Sequence, residues 1–307
     1  MSDDSAALRR RMGRAAQLQS VVRTMKALAA AHIVPYERSV KALTGYQRTV
    51  ELGLCACLRQ GQVEAAVPGG GAVRPGPVRA IVFGSDQGLV GAFNEGVAER
   101  ALQALARLPG PAQVWAIGER VQGRLVAAGL PLRGCFALPT SVSSITPLVS
   151  QLLLAAVPDA ALDHGHPSAG ELHLFYNRAA PGAAHAPVGR RVLPLDAAWV
   201  RARAEAPWPT ARRPQVLGPP LATLGALIRE HLFTSLFQAC AESLASENAS
   251  RLAAMERADR NIDDSLASLH KAFDRLRQSR IDEELFDVVA GFEALSGTGA
   301  GPPVTPG

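Results

Sequence analysis

Between Leu221 and Leu295 the chain has no proline, and its only glycines are Gly225 and Gly291, near the two ends of the stretch. Within it, Ile262, Leu266, Leu269, Phe273 and Leu276 step by 4, 3, 4 and 3, the spacing of a left-handed coiled-coil seam. Leu232, Leu236, Cys240, Leu244, Leu252 and Met255 carry the apolar positions upstream. Seventy-five helical residues at 1.5 Å each would span roughly 110 Å, far more than a globular domain is wide. Such a helix cannot bury its seam alone and needs a long partner.

The other end of the chain supplies one. Leu8, Met12, Ala15, Gln19, Val22, Met25, Ala29, Ile33, Tyr36, Val40, Leu43, Gln47, Val50 and Leu54 follow a 3–4 spacing, with Gln19 and Gln47 as polar exceptions. Pro35 is expected to kink or restart this helix. Residues 1–60 carry a net charge of +6 and residues 215–307 one of −5, the complementarity that two mutually packed helices require. The expectation is an antiparallel coiled coil of residues 1–60 and 221–295.

The middle of the chain has a different pattern. Glycine and proline crowd residues 61–77 and proline residues 207–220, and both read as linkers; residues 296–307 read as a flexible tail. Between the linkers, VRAIVFG (78–84), AQVWAIG (112–118), ELHLFYNR (171–178) and RVLPLD (191–196) read as strands. Helices are expected over 93–108, 119–129 and 143–157. This alternation predicts a doubly wound sheet. The fold class is therefore α/β: a long antiparallel coiled coil with an inserted, Rossmann-like, mostly parallel α/β domain over 78–206.

Composition narrows the function. A hydrophobic fraction of 48% excludes a disordered chain. No run approaches the ~18 apolar residues of a membrane-spanning helix, and MSDDSAALRRR has no apolar stretch that would make it a signal peptide. Four cysteines without framework spacing point to a reducing compartment. The expectation is a soluble, cytosolic protein. The Arg-rich N-terminal segment has Tyr36 and Tyr46 as its only aromatics, which argues against base stacking and so against nucleic acid.

Signals for chemistry are weak. Gly84, Gly88 and Gly91 follow a strand and precede a helix, but GxxxGxxG is neither a dinucleotide fingerprint nor a Walker loop, and the reading is a tight turn. His164, His166 and His173 lack the Cys or carboxylate partners of a zinc site beyond Asp163 and Glu171, and read as solvent-facing. Cys55 and Cys57, two apart on a helix, point to diverging faces. Ser85-Asp86 has no histidine placed by a local motif. No catalytic residue, metal or cofactor is expected.

Three blocks resemble the gamma subunits of rotary F-type ATP synthases. RRMGRAAQLQSVVRTMKALAAAHI (10–33) is similar to that family's N-terminal helix, with Met25-Lys26 before a small-residue run. SDQGLVGAFN (85–94) resembles its Ser-Asp-Arg-Gly-Leu-Cys-Gly-Gly loop, and residues 235–295 resemble its C-terminal helix almost throughout. YNR (176–178) and LPL (193–195) add to the match. Departures include His32, Pro35, Gln87, Val90, Ala92, Ile281-Asp282 and Gly291-Phe292, which suggest a divergent branch. With neither a chloroplast-type dithiol insertion nor a mitochondrial presequence visible, a bacterial source is expected.

The resemblance implies a non-catalytic, central-stalk rotor coupling the membrane c ring to the catalytic alpha/beta sites. Its implied partners are three alpha and three beta subunits, the epsilon subunit and the c ring, with no nucleic acid. It implies a peripheral position on the cytoplasmic face of the bacterial plasma membrane, reached through the c ring. By resemblance, Met25, Lys26, Arg277, Gln278, Asp282 and Glu284 contact partner subunits, and Ser85, Asp86, Gly88, Gly91 and Asn94 form the loop of the globular domain. The alternatives are a nucleotide-binding α/β enzyme with helical arms and an Arg-rich coiled-coil scaffold for nucleic acid.

Overall fold

A computed structural model describes residues 2–59, 77–157, 170–212 and 214–297. His164, His166, most of the 61–77 segment and residues 298–307 of the expected tail lie outside them. In chain order the elements are α1 (Ser2–Cys57), β1 (Val78–Phe83), α2 (Phe93–Leu105), β2 (Ala112–Ile117), α3 (Glu119–Ala127), β3 (Leu132–Phe136), α4 (Ile145–Ala156), β4 (Glu171–Ala180), β5 (Ala183–Leu193), α5 (Ala197–Glu205) and α6 (Pro220–Gly297). A 3-10 turn, Val142–Ser144, precedes α4. The chain forms two compact units, Lys26–Ala254 and Met1–Met25 with Met255–Gly307.

The larger unit holds the sheet, in the order β3-β2-β1-β4-β5. The first four strands run parallel, with Ala80 opposite Val114 and Ile81 opposite Leu174; β5 turns back antiparallel on β4. Val78, Ala80 and Val82 of β1 pack with Val97, Ala101, Val121 and Leu125 of α2 and α3. Ile81 and Phe83 join a second core with Ile145, Leu148 and Leu152 of α4, Val50 and Leu54 of α1, and Leu224, Ile228, Leu232 and Leu236 of α6. Because helices cover both faces, β1 is apolar almost throughout rather than alternating.

Three parts depart from the sequence expectation. β3 is a five-residue edge strand with Gly134 in its middle, too short and broken to signal itself. β5 begins at Ala183 rather than Arg191 and ends at Leu193; Pro187 and Gly189 hid its first half, and an edge strand tolerates both. α5 has Val200 as its only fully buried residue, so no apolar stripe marked it, although Asp196 caps it by accepting from the Trp199 amide at 2.8 Å.

In each unit α1 and α6 pair antiparallel. In the larger, Val40 and Lys41 line a cavity with Glu242 and Ala245, while Tyr46 donates to Glu230 at 2.7 Å. In the smaller, the Arg9 guanidinium lies 5.1 Å from the Phe273 ring centroid, and Gln19 meets Asp259 and Asp263. All fourteen seam positions of α1 are buried or half-buried, as are Ile262, Leu266, Leu269, Phe273 and Leu276 of α6. α1 runs on through Pro35, so the helix does not restart there. Ala31, whose carbonyl loses the Pro35 amide, is an exposed residue.

Candidate functional site

In doubly wound sheets ligands bind outside the carboxyl ends of the strands, where the strand order reverses. Here that point lies between β1 and β4, and the loop that follows β1 carries Ser85, Asp86, Gly88, Gly91 and Asn94. The loop is tied to its own scaffold. The Ser85 amide donates to Asn94 Oδ1 at 2.9 Å, and Asn94 Nδ2 donates to Ser85 Oγ at 2.8 Å. Ser85 Oγ in turn donates to the Gln87 carbonyl at 2.8 Å. A second amide, Asn177 on β4, donates to the Phe93 carbonyl at 2.9 Å and is fully buried.

Asp86 reaches further. Its Oδ1 accepts from the Glu119 amide at the start of α3, and its Oδ2 from the Leu138 amide beyond β3, both at 3.0 Å. One carboxylate thus joins the ends of three adjacent strands. A helix N-terminus with free amides is a natural phosphate seat; here the protein's own anion holds the N-terminus of α3. The Asp86 charge adds to burial in raising the Cys135 thiol and the Glu247 carboxyl above their usual values.

The glycines serve this packing. A Cβ on Gly84 would lie 2.3 Å from Val121 Cβ and 2.7 Å from Asn94 Oδ1. Gly91 adopts φ 64°, a left-handed turn that glycine enters freely, and Leu89 at the loop's tip holds φ 63° with its side chain exposed. Gly88 sits beside the Arg120 guanidinium. A cavity of about 570 Å³ opens instead at the amino ends of β1, β2 and β3, lined by Pro77, Pro109, Pro111 and Pro131, with no convergent polar cluster.

His173 is not solvent-facing, contrary to expectation. Its side chain is 13% exposed on β4, and Nε2 lies 2.6 Å from Glu171 Oε2. Cys55 and Cys57 are free thiols, both buried where α1 enters the core, and burial raises both.

Of the residues singled out on the long helices, Arg277 and Glu284 line a cavity of about 430 Å³ with Arg9, Phe273 and Asp287. Met25 and Lys26 are half-buried, and Arg277, Gln278, Asp282 and Glu284 are exposed on α6. Gln278 donates to Asp282 at 3.1 Å, and Arg280 lies 3.3 Å from Glu284, both one turn apart on the same helix. The surrounding turns expose Ile281, Leu285, Phe286, Val288, Val289 and Phe292, at 47–73%. Six large apolar side chains exposed over twelve residues form an apolar surface of the kind that partners cover. The sequence signal of this apolar surface is a hydrophobic set too dense for one seam.

Comparison with known proteins gives one answer. A family model described as ATP synthase matches residues 5–295. The ATP synthase gamma chain of Saccharopolyspora erythraea is 31% identical over 246 residues, covering 74% of this chain and 77% of its own. That of Symbiobacterium thermophilum is 24% identical over 299 residues, covering 97% and 100%. Among solved structures, a chain of the Euglena gracilis mitochondrial ATP synthase (OSCP/F1/c-ring, rotational state 3) matches with TM-score 0.63 at 14% identity, covering 100% of this chain and 99% of its own. A chain of the Tetrahymena thermophila mitochondrial ATP synthase central stalk and c-ring matches with TM-score 0.52 at 18% identity, covering 78% and 99%. The likeness runs from the N-terminal helix through the sheet to the exposed end of α6, and the chain belongs to the ATP synthase gamma-chain family.

Proposed function

We infer that this chain is the central-stalk rotor subunit of an F-type ATP synthase, coupling rotation of a membrane c ring to conformational change at catalytic alpha/beta sites. The observation that carries the reading is the pair α1 and α6: antiparallel in each unit around an apolar seam, with the end of α6 apolar and exposed. Residues 1–60 and 221–295 act as the shaft. Residues 78–206, between the two linkers, act as the foot that meets the epsilon subunit and the c ring.

The chain acts without chemistry of its own. Asp86 and Asn94 use the amides a phosphate would need, which speaks against a nucleotide enzyme. Catalysis belongs to the alpha/beta sites, three pairs surrounding one shaft. Met25, Lys26, Arg277 and Gln278 meet the beta subunits, and Asp282 and Glu284 contact partner subunits. Exposed ion pairs are each worth about 0–1 kcal/mol, which suits contacts broken at every step. The apolar residues of α6 from Ile281 to Phe292 supply a non-directional surface that slides without sticking. No described helix is long and apolar enough to cross a membrane. In this reading membrane contact runs through the c ring at the cytoplasmic face of the plasma membrane.

Co-expression with alpha and beta subunits from the same source tests this reading. Co-elution of one copy per three alpha/beta pairs, with ATP turnover that collapses when residues 277–295 are deleted, is the expected result. A chain that stays monomeric beside alpha and beta, or that binds a nucleotide by itself, overturns it.

A further inference from the structure

We propose that Gln19 and Gln47, the two polar positions of a fourteen-position seam, are shear locks: positioning residues that stop α1 and α6 sliding past one another and so let the two helices bear load as one. The inference rests on the rotor reading and goes beyond it, because it assigns a mechanical role to contacts within the helix pair itself.

The geometry of each lock resists displacement along the helix axis. Gln19 is 9% exposed. Its Nε2 donates to Asp259 Oδ1 at 3.3 Å and also to Asp263. Those aspartates stand one turn apart on α6, so the amide is bracketed from both sides and a slip either way lengthens one bond. Arg23 strengthens the bracket, with Nε 3.2 Å from Asp259 and Nη2 3.7 Å from Asp263. In the other unit, Gln47 Nε2 donates to Gln238 Oε1 at 3.0 Å. Gln238 is itself oriented, because its Nε2 donates to the Glu242 carboxylate at 2.7 Å, an acceptor that admits only that end of the amide. Each compact unit therefore contains one such seam glutamine.

Apolar contacts define the axial position less sharply. Hydrophobic attraction is non-directional, and apolar knobs can reseat in neighbouring holes when the seams shift. A hydrogen bond weakens steeply once donor and acceptor part beyond about 3.5 Å, and a slip of one helical residue is a displacement of about 1.5 Å. Polar residues at seam positions specify register at a cost in stability. In a shaft, force enters one helix at a time, on α1 near Met25 and Lys26 and on α6 near Arg277 and Gln278. Two rods free to slide share none of that shear; locked rods resist bending and twisting together.

The test compares the native chain with a Gln19→Leu/Gln47→Leu variant in the assembled, membrane-bound complex. Four quantities are read: chain melting temperature, complex assembly, ATP hydrolysis, and ATP-driven ion pumping per ATP hydrolysed. Melting is expected to be unchanged or raised, assembly and hydrolysis retained, and pumping per ATP lost. Gln19→Lys, which keeps donors for both aspartates, is expected to pump more per ATP than Gln19→Leu. Native pumping in the double-leucine variant overturns the proposal. So does a pumping loss that only tracks lower melting temperature and incomplete assembly. A native complex that hydrolyses ATP without pumping overturns the rotor reading itself, a result distinct from either.

Discussion

Replacing Asp86 by alanine removes a side chain that binds the ends of β1, β2 and β3 together. Two backbone amides, of Glu119 and Leu138, lose acceptors at 3.0 Å. A hydrogen bond to a charged group contributes about 1.5–3 kcal/mol, and Asp86 is half-buried, so water partly replaces it. The expected loss is about 2–4 kcal/mol, including the favourable field at the start of α3. For a unit the size of Lys26–Ala254 this lowers the melting midpoint by roughly 5–15 °C. Asp86→Asn keeps one acceptor without the charge and should fall between. Thermal and urea unfolding of the isolated chain, followed by far-ultraviolet circular dichroism, measure both variants. A change below about 0.5 kcal/mol, the range of ordinary surface substitutions, would refute the assignment of Asp86 as the joint of the sheet.

Other substitutions follow from the same geometry. Gly84→Ala drives a methyl into Val121 and Asn94, and should destabilise by about 1–3 kcal/mol, with Val121→Ala restoring part of the loss in a double-mutant unfolding cycle. His231 lies against the Trp199 ring, where burial, Arg190 and Arg203 push its imidazole down to about 4. The unfolded chain takes up this proton below about 6.5, whereas the folded chain waits until about 4. Stability is therefore full above pH 6.5 and falls as pH drops toward 4, by about 3 kcal/mol in all. His231→Phe should flatten melting-temperature profiles over that window. Arg280→Ala breaks only an exposed pair with Glu284 and should change unfolding free energy by less than about 0.5 kcal/mol. Deleting residues 281–297 should leave the melting of the isolated chain almost unchanged, since those side chains described are exposed, yet weaken co-elution with alpha and beta.

The long helices were legible because their burial follows a period. Every seam position read from spacing in α1 is buried or half-buried, including Gln19 and Gln47. What spacing could not show is why glutamines stand there, since Asp259, Asp263 and Gln238 are some 190–240 residues away in sequence. The central strands β1 and β2 announced themselves as apolar runs, while the edge strands β3 and β5 did not, because an edge may hold Gly134 or Pro187 at little cost. The loop after β1 was recognised as a tight turn, but the reach of Asp86 to Glu119 and Leu138 depends on tertiary closure. Pro35 does not restart α1, because a helix held by packing on its buried side survives one missing bond on its exposed side.

Rotation itself is the most direct test of the account. Among the four cysteines only Cys135 is exposed, while Cys55, Cys57 and Cys240 are buried, so the native chain offers one site for a probe. The measurement is to attach a bead or gold rod to Cys135 in a complex whose alpha/beta ring is fixed to a surface, and to follow it as ATP is added. The account predicts stepwise, unidirectional turning of the probe that stops when ATP is exhausted. A probe that stays still while the same complexes hydrolyse ATP would contradict it.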